Sequence, residues 1–244
     1  MNIGFWQKRA ALMMGSLALL ATAACSGDAG EPAVAEPRTG EIGDGEMTIP
    51  VMGDEVRILA FGDSLFAGYN LAEEEGYPER LETALRARGI NARVIDAGVS
   101  GDTSAAGRAR LGFVLEAQDE SPDLVMLELG GNDLLRGIQP DQTRANFEAM
   151  LDELARREIP VLLMGMRAPP NYGPQYQAQF DALYGELAQQ YDAGLIPFWL
   201  EDIYRDRSLF QSDRIHPTAE GIEALVASTI DEVIAALPED ETDS

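Results

Sequence analysis

Short apolar runs alternate with segments of helical periodicity from about Val51 onward, and this alternation constrains the fold most strongly. The predicted strands are apolar on both faces, which is typical of parallel strands that helices cover on both sides. The predicted helices place apolar residues three or four positions apart. The pattern therefore predicts an α/β fold with a mostly parallel sheet. The predicted strands are residues 56–61, 92–95, 124–129, 161–164 and 195–199, and the predicted helices are residues 78–88, 104–117, 140–158, 175–191 and 217–237.

Polar loops follow four of the predicted strands. The loops after the first three strands carry Ser64, Gly101 and Asn132, and the loop after the fifth carries His216. In parallel sheets, ligands gather at the carboxyl ends of the strands, near the point where the strand order switches. We therefore expect these four residues to lie at one rim of the sheet.

Ser64 and His216 together suggest nucleophilic catalysis. A hydroxyl is a poor nucleophile at neutral pH and needs a base within hydrogen-bond reach, which a third group must orient. His216 is the only histidine, so a serine hydrolase with this sequence has one candidate base. Asp213 lies three residues earlier and could fix the tautomer of the ring. The chain order Ser, Asp, His is one of the orders in which such triads recur.

Each of these residues also has a purely structural interpretation. Ser64 could cap a helix in a strand–helix turn, and taken alone it favours that role. His216 could simply pack at the start of the last helix, with Asp213 capping the same turn. The presence of both motifs favours the enzyme. A metal role for His216 is disfavoured because no second histidine and no cysteine cluster accompany it, and the sequence predicts no metal and no cofactor.

Asn132 and Gly101 are candidate donors for an oxyanion. An asparagine amide can stabilise the developing negative charge by roughly 3–4 kcal/mol, and a glycine can offer its backbone N–H. The alternative for both is an ordinary turn residue. The glycine-rich segments lack the spacing and the lysine of a phosphate-binding loop.

These blocks resemble those of the SGNH, or GDSL, hydrolases. The resemblance rests on Gly62-Asp63-Ser64-Leu65, Gly101, Gly131-Asn132-Asp133 and Asp213-x-x-His216-Pro217, which occur in order with matching intervals. It extends from about Arg57 to Leu237 and is closest to the branch of multifunctional bacterial esterases: arylesterase, acyl-CoA thioesterase I and lysophospholipase L1. The Gly130–Gly137 and Pro169–Gly173 segments belong to it as well.

The resemblance implies a three-layer α/β/α sandwich like that of flavodoxin, with a five-stranded parallel sheet. It implies Ser64 as nucleophile, His216 as base and then acid, and Asp213 as the orienting carboxylate. The oxyanion hole would consist of the Ser64 and Gly101 N–H groups and the Asn132 side chain.

The expected substrate is a small-molecule acyl ester of a small alcohol or phenol, with a short to medium acyl chain. By analogy with the family, residues 134–138 and 168–172 would border its pocket, although they could equally be loops that cover the core. Alternative substrates for the same chemistry are a lysophospholipid, a thioester or an acetylated carbohydrate. A lipid-anchored binding protein on an inactive scaffold is the non-enzymatic alternative.

The charge balance is strongly acidic. There are 42 acidic and 18 basic residues, and the net charge is −24. Such a surface repels phosphate backbones and anionic headgroups, which predicts no nucleic-acid partner. The simplest interpretation is a solvated acidic surface that maintains solubility.

Residues 1–25 are typical of an export signal. Lys8 and Arg9 precede an apolar stretch that is too short to span a membrane comfortably, and the only cysteine, Cys25, follows it. This resembles a bacterial lipoprotein signal, with Cys25 lipidated and anchoring the protein to a membrane. The alternative is an ordinary secretory signal with an incidental cysteine.

The remaining segments complete the predicted organisation. Residues 26–50 are rich in Gly, Pro, Ala and acid and are predicted to form a flexible tether. Residues 51–238 form the hydrolase domain, and residues 239–244 form an acidic tail. The protein is therefore expected to be exported, either periplasmic or anchored to a membrane. The sequence does not indicate an oligomeric state.

Overall fold

A computed structural model of the protein describes residues 51–238. The predicted signal with Cys25, the predicted tether and the acidic tail lie outside the described residues. No helix within the described part of the chain combines the length and apolar character that crossing a membrane requires.

The core of the domain is one parallel sheet. Its strands are β1 (Val56–Gly62), β2 (Ala92–Gly98), β3 (Leu124–Glu128), β4 (Val161–Met164) and β5 (Gly194–Ile196), arranged in the order β2-β1-β3-β4-β5. Every residue of β3 and β4, and all of β1 after Val56, is buried. The central strands are therefore covered on both faces, which explains why their sequences do not alternate.

Two groups of helices cover the sheet. The helices are α1 (Tyr77–Ala87), α2 (Ser104–Glu116), α3 (Gly131–Leu135), α4 (Pro140–Arg156), α5 (Pro174–Tyr191) and α6 (Ala219–Ala236). Helix α1 packs against α6, while α4 packs against both α2 and α5. With the sheet between them, these groups form three layers. The predicted α/β/α sandwich with a five-stranded parallel sheet is confirmed.

Several element boundaries differ from the prediction, by up to three residues, and two of the differences have a clear physical cause. The fifth strand ends at Ile196, and the buried residues Phe198 and Trp199 lie in turns, since Pro197 has no N–H for a sheet ladder. Helix α6 begins two residues later than predicted, because the Thr218 side chain accepts the Gly221 N–H at 3.2 Å and caps the helix there.

The switch in strand order lies between β1 and β3. The chain leaves β1, adds β2 on one side and then returns to add β3 on the other. The crevice at the carboxyl ends of β1 and β3 is the usual ligand position in such a sheet. Ser64 lies two residues after the end of β1, and α3 begins three residues after the end of β3.

An aromatic cluster supports the turn after β1. Phe66 stacks on Tyr77 with ring centroids 5.4 Å apart, and Trp199 meets both rings edge-on. The end of β2 also approaches this turn closely, because a Cβ on Gly98 would lie 2.4 Å from the Ala67 backbone nitrogen. The backbone that carries Ser64 is therefore held by dense packing on two sides.

Candidate active site

The structure brings Ser64, His216 and Asp213 into one hydrogen-bonded chain. His216 Nε2 lies 2.8 Å from Ser64 Oγ, and His216 Nδ1 lies 2.7 Å from Asp213 Oδ2. Asp213 Oδ1 accepts the backbone N–H groups of Ile215 and His216 at 2.9 and 3.1 Å. The short loop between Asp213 and His216 thus fixes the carboxylate that meets the ring.

Asp213 is held in its ionised form. Partial burial pushes the pKa of this carboxyl upward, but the hydrogen bonds from the His216 ring and from two backbone N–H groups together bring the pKa below its ordinary value. An ionised Asp213 accepts a proton from Nδ1. Nε2 of the neutral ring is then left as an acceptor for the Ser64 hydroxyl.

Gln211 joins the two loops that carry the base and the candidate nucleophile, and sequence reasoning missed it. Its Nε2 donates to the carbonyls of Tyr69 and Pro217 at 2.7 and 2.9 Å, and its backbone N–H donates to the His216 carbonyl at 2.7 Å. The Tyr69 ring lies 4.4 Å from the His216 ring, measured between centroids. No sequence pattern marks a glutamine in such a role.

Asn132 lies in the first turn of α3, a short helix that the sequence did not predict. Its Nδ2 donates one proton to Asp63 Oδ2 at 2.9 Å, which leaves the second proton of the amide for a ligand. The Ser64 N–H makes no hydrogen bond to another of residues 51–238. Asn132 and Ser64 therefore present unused donors at the same rim.

Gly101 lies in the loop between β2 and α2, as the sequence predicted. It has a φ of 88°, which suits glycine, and its carbonyl accepts Arg136 Nη2 at 2.7 Å. It is not among the residues that line the cleft around Ser64. Its N–H has no partner within the described part of the chain.

A buried pair of carboxyls, Asp63 and Glu128, lies beneath the Ser64 turn. Glu128 Oε2 accepts the Asp63 backbone N–H at 3.1 Å, and Asp63 Oδ1 accepts the Leu65 N–H at 3.0 Å. Burial raises the pKa of both carboxyls, and the nearby charge of Asp63 raises that of Glu128 further. Sequence reasoning also missed this pair. The sequence feature that could have indicated it is Glu128, a charged residue at the end of an otherwise apolar strand.

Glu128→Gln is expected to flatten the pH dependence of stability. The folded protein retains a Glu128 proton that the unfolded chain releases above its ordinary pKa of 4.5. The free energy of unfolding therefore falls as pH rises from that value toward the raised pKa, by at most about 1.4 kcal/mol per pH unit. Glutamine has no such proton to release. Urea unfolding between about pH 5 and 8 measures the slope.

Glu223→Gln provides the control for this experiment, because its side chain is 62% exposed. It should retain the pH dependence of the wild type. Parallel curves for the wild type and Glu128→Gln would contradict the raised pKa.

A cleft of about 610 Å³ opens above Ser64, Asn132 and His216. Such a volume suits a small molecule, and much of the wall is apolar. The apolar wall residues are Leu65, Leu134, Leu135, Met166, Pro169, Tyr172, Phe198, Leu200, Tyr204, Phe210 and Ile215. Residues 51–238 contain no group of three or more His, Cys, Asp or Glu side chains placed to hold a metal ion.

The sequence model of the GDSL-like Lipase/Acylhydrolase family matches residues 60–224, the segment that carries the entire hydrogen-bonded chain. The protein belongs to this family. The resemblance to the SGNH, or GDSL, hydrolases that the sequence indicated is thereby confirmed.

Similarity to individual proteins supports the same family assignment. The chain is 58% identical to AlinE4, an SGNH-hydrolase family esterase of known crystal structure, with a TM-score of 0.65 over 77% of this chain and 99% of AlinE4. It is 42% identical over 160 residues to esterase TesA of Pseudomonas aeruginosa, covering 66% of this chain and 79% of TesA. It is 39% identical over 163 residues to thioesterase 1/protease 1/lysophospholipase L1 of Escherichia coli K12, covering 67% and 76%. These relatives give no support to a non-enzymatic binding protein.

Proposed function

We propose that this protein hydrolyses carboxylic acyl esters through a covalent acyl-enzyme, with Ser64 as the nucleophile. The observation that carries the proposal is the continuous contact from Asp213 through His216 to Ser64, with distances of 2.7 and 2.8 Å, at the base of a cleft. Membership of an acylhydrolase family supports the same chemistry.

In the first step, Ser64 Oγ forms a bond to the ester carbonyl carbon while its proton passes to His216 Nε2. Asp213 stabilises the resulting imidazolium. The carbonyl oxygen becomes negative, and the free proton of the Asn132 amide, the Ser64 N–H and the Gly101 N–H are the proposed donors to it. Gly101 would have to contact the oxyanion from the edge of the cleft.

In the second step, the bond to the leaving oxygen breaks, and His216 gives its proton to the departing alcohol or phenol. Water then attacks the acyl-Ser64 ester, with His216 again accepting a proton. Collapse of this second intermediate releases the acid and restores the Ser64 hydroxyl.

The proposed substrate is an ester of a small alcohol or phenol with a short to medium acyl chain. The apolar walls and limited volume of the cleft support this choice. The names of the relatives support lysophospholipids and thioesters as alternative substrates, and an acetylated carbohydrate is a third alternative.

We also propose export, directed by residues 1–25, and an exported enzyme would rarely meet acyl-CoA. Comparison of kcat/KM for p-nitrophenyl esters, palmitoyl-CoA and lysophosphatidylcholine separates these substrates.

Labelling with a fluorophosphonate tests the nucleophile directly. We expect one phosphonyl group per chain, located by mass spectrometry on the peptide that contains Ser64, and loss of esterase activity in proportion to labelling. Excess p-nitrophenyl butyrate should slow the labelling. Full hydrolysis by completely labelled protein, or labelling confined to another residue, would refute the assignment.

A further inference from the structure

The cleft differs in charge from the rest of the protein. Acidic residues outnumber basic ones 42 to 18 in the whole sequence. Four arginines line the cleft, namely Arg167, Arg205, Arg207 and Arg214, and Asp63 is the only acidic residue that lines it within the described part of the chain. Asp63 is buried and already accepts hydrogen bonds from Leu65 and Asn132. Among the residues that line the cleft, basic side chains therefore outnumber acidic ones, the reverse of the balance in the whole sequence.

Three of these arginines have no partner among residues 51–238. Arg205, Arg207 and Arg214 make no ion pair or side-chain hydrogen bond within residues 51–238, whereas Arg167 pairs with Glu201 at 2.8 Å. Every other arginine in the described chain donates to a protein acceptor or forms an ion pair. The unused guanidinium groups are thus confined to the wall of the proposed active site.

Two carboxylates close to this group in sequence already accept hydrogen bonds from other residues. Asp206 lies between two of the arginines in sequence, but its Oδ1 accepts the N–H and hydroxyl of Ser208 at 2.9 and 2.6 Å. Asp213 is occupied by His216 and the backbone of its own loop. One oxygen of Asp206 and both oxygens of Asp213 are therefore already engaged.

The backbone of Arg214 is an independent observation. Its φ of 61° lies in the left-handed region, which costs an L-residue roughly 1 kcal/mol and costs glycine almost nothing. The residue lies between Asp213 and His216 and lines the cleft. This conformation gives Arg214 a defined backbone position beside the base, on the wall of the cleft.

We propose that Arg205, Arg207 and Arg214 form an anion subsite, so that the preferred esters carry a carboxylate or phosphate away from the scissile bond. Guanidinium groups present paired N–H donors that match such oxyanions, and the surrounding acidic surface would repel the same ligand elsewhere. The inference rests on the proposed esterase function and specifies its substrate class.

Matched substrates test the subsite. On the acyl side, mono-4-nitrophenyl adipate is compared with its methyl ester. On the alcohol side, 4-acetoxybenzoate is compared with methyl 4-acetoxybenzoate. The readout is the ratio of kcat/KM for the anionic ester to that for the neutral ester. In the triple variant Arg205→Gln, Arg207→Gln, Arg214→Gln, we expect this ratio to fall about tenfold or more in at least one pair.

A second triple variant controls for net charge. Arg88, Arg93 and Arg156 lie outside the cleft with side chains 45%, 54% and 66% exposed, and their replacement by Gln makes the same change in charge. It should leave both ratios within about twofold of the wild type, because exposed charges farther away than about 8 Å are screened at physiological salt. Arg214→Gly, which suits the local backbone, should lower the ratio without loss of stability.

The outcomes separate the hypotheses. A fall in the adipate pair places the anion on the acyl part, and a fall in the acetoxybenzoate pair places it on the alcohol part. Unchanged ratios in the cleft variant, or an equal fall in the control variant, would overturn the subsite. Hydrolysis of the neutral esters and labelling of Ser64 report separately on the esterase function.

Discussion

Replacement of Ser64 by alanine is expected to lower kcat/KM for a p-nitrophenyl ester by at least about 10⁴-fold. The change removes the one hydroxyl within residues 51–238 that contacts His216 Nε2, at 2.8 Å, so no acyl-enzyme can form. The fold should persist, because the aromatic cluster behind the turn does not involve the Ser64 side chain. Initial rates and urea unfolding of the purified variant measure the two effects.

Ser228→Ala is a suitable control for this substitution. Ser228 lies in α6, and its hydroxyl donates only to the Leu225 carbonyl of the same helix at 3.1 Å. It should keep the wild-type rate. Turnover close to that of the wild type in Ser64→Ala, once contaminating esterase has been removed, would end the nucleophile assignment.

Asn132→Ala is expected to lower kcat by about 10²- to 10³-fold with a small change in KM. The free amide proton of Asn132 is proposed to contact the oxygen only after it becomes negative, so its loss affects the transition state more than substrate binding. The variant also removes the hydrogen bond that Asp63 Oδ2 accepts at 2.9 Å. Its free energy of unfolding must therefore be measured alongside kcat.

Asn91→Ala serves as the matched control. Asn91 precedes β2 at the opposite end of the sheet, where its amide donates to the Gly53 carbonyl at 3.0 Å. It should leave kcat unchanged. A folded Asn132→Ala protein whose kcat lies within about threefold of the wild type would remove Asn132 from the oxyanion hole.

The sequence predicted the sheet well because its buried strands consist almost entirely of apolar residues. The central strands β1, β3 and β4 are apolar at nearly every position, and such runs have few other interpretations between helical segments. The fifth strand was predicted too long, since an apolar run does not distinguish a strand from buried turn residues such as Trp199. Helix α3 was missed because five residues that begin with Gly131 carry no periodicity.

The placement of the candidate site was predictable from topology, and its finer organisation was not. The carboxyl ends of parallel strands lie at one rim of the sheet. The sequence therefore predicted that the loops carrying Ser64, Asn132 and His216 lie close together. The pairing of Asp63 with Glu128, the position of Gly101 outside the cleft lining and the links through Gln211 depend on tertiary distances. No local spacing encodes them.

The links made by Gln211 have a consequence for how this domain can diversify. Ser64 and His216 are 152 positions apart in the chain, yet one amide connects Tyr69, near the nucleophile, to the loop that carries the base. Gln211 thus adds a direct connection between the two loops to the packing that holds the Ser64 turn. The remote walls of the cleft are free to acquire new selectivity while the reactive centre keeps its geometry.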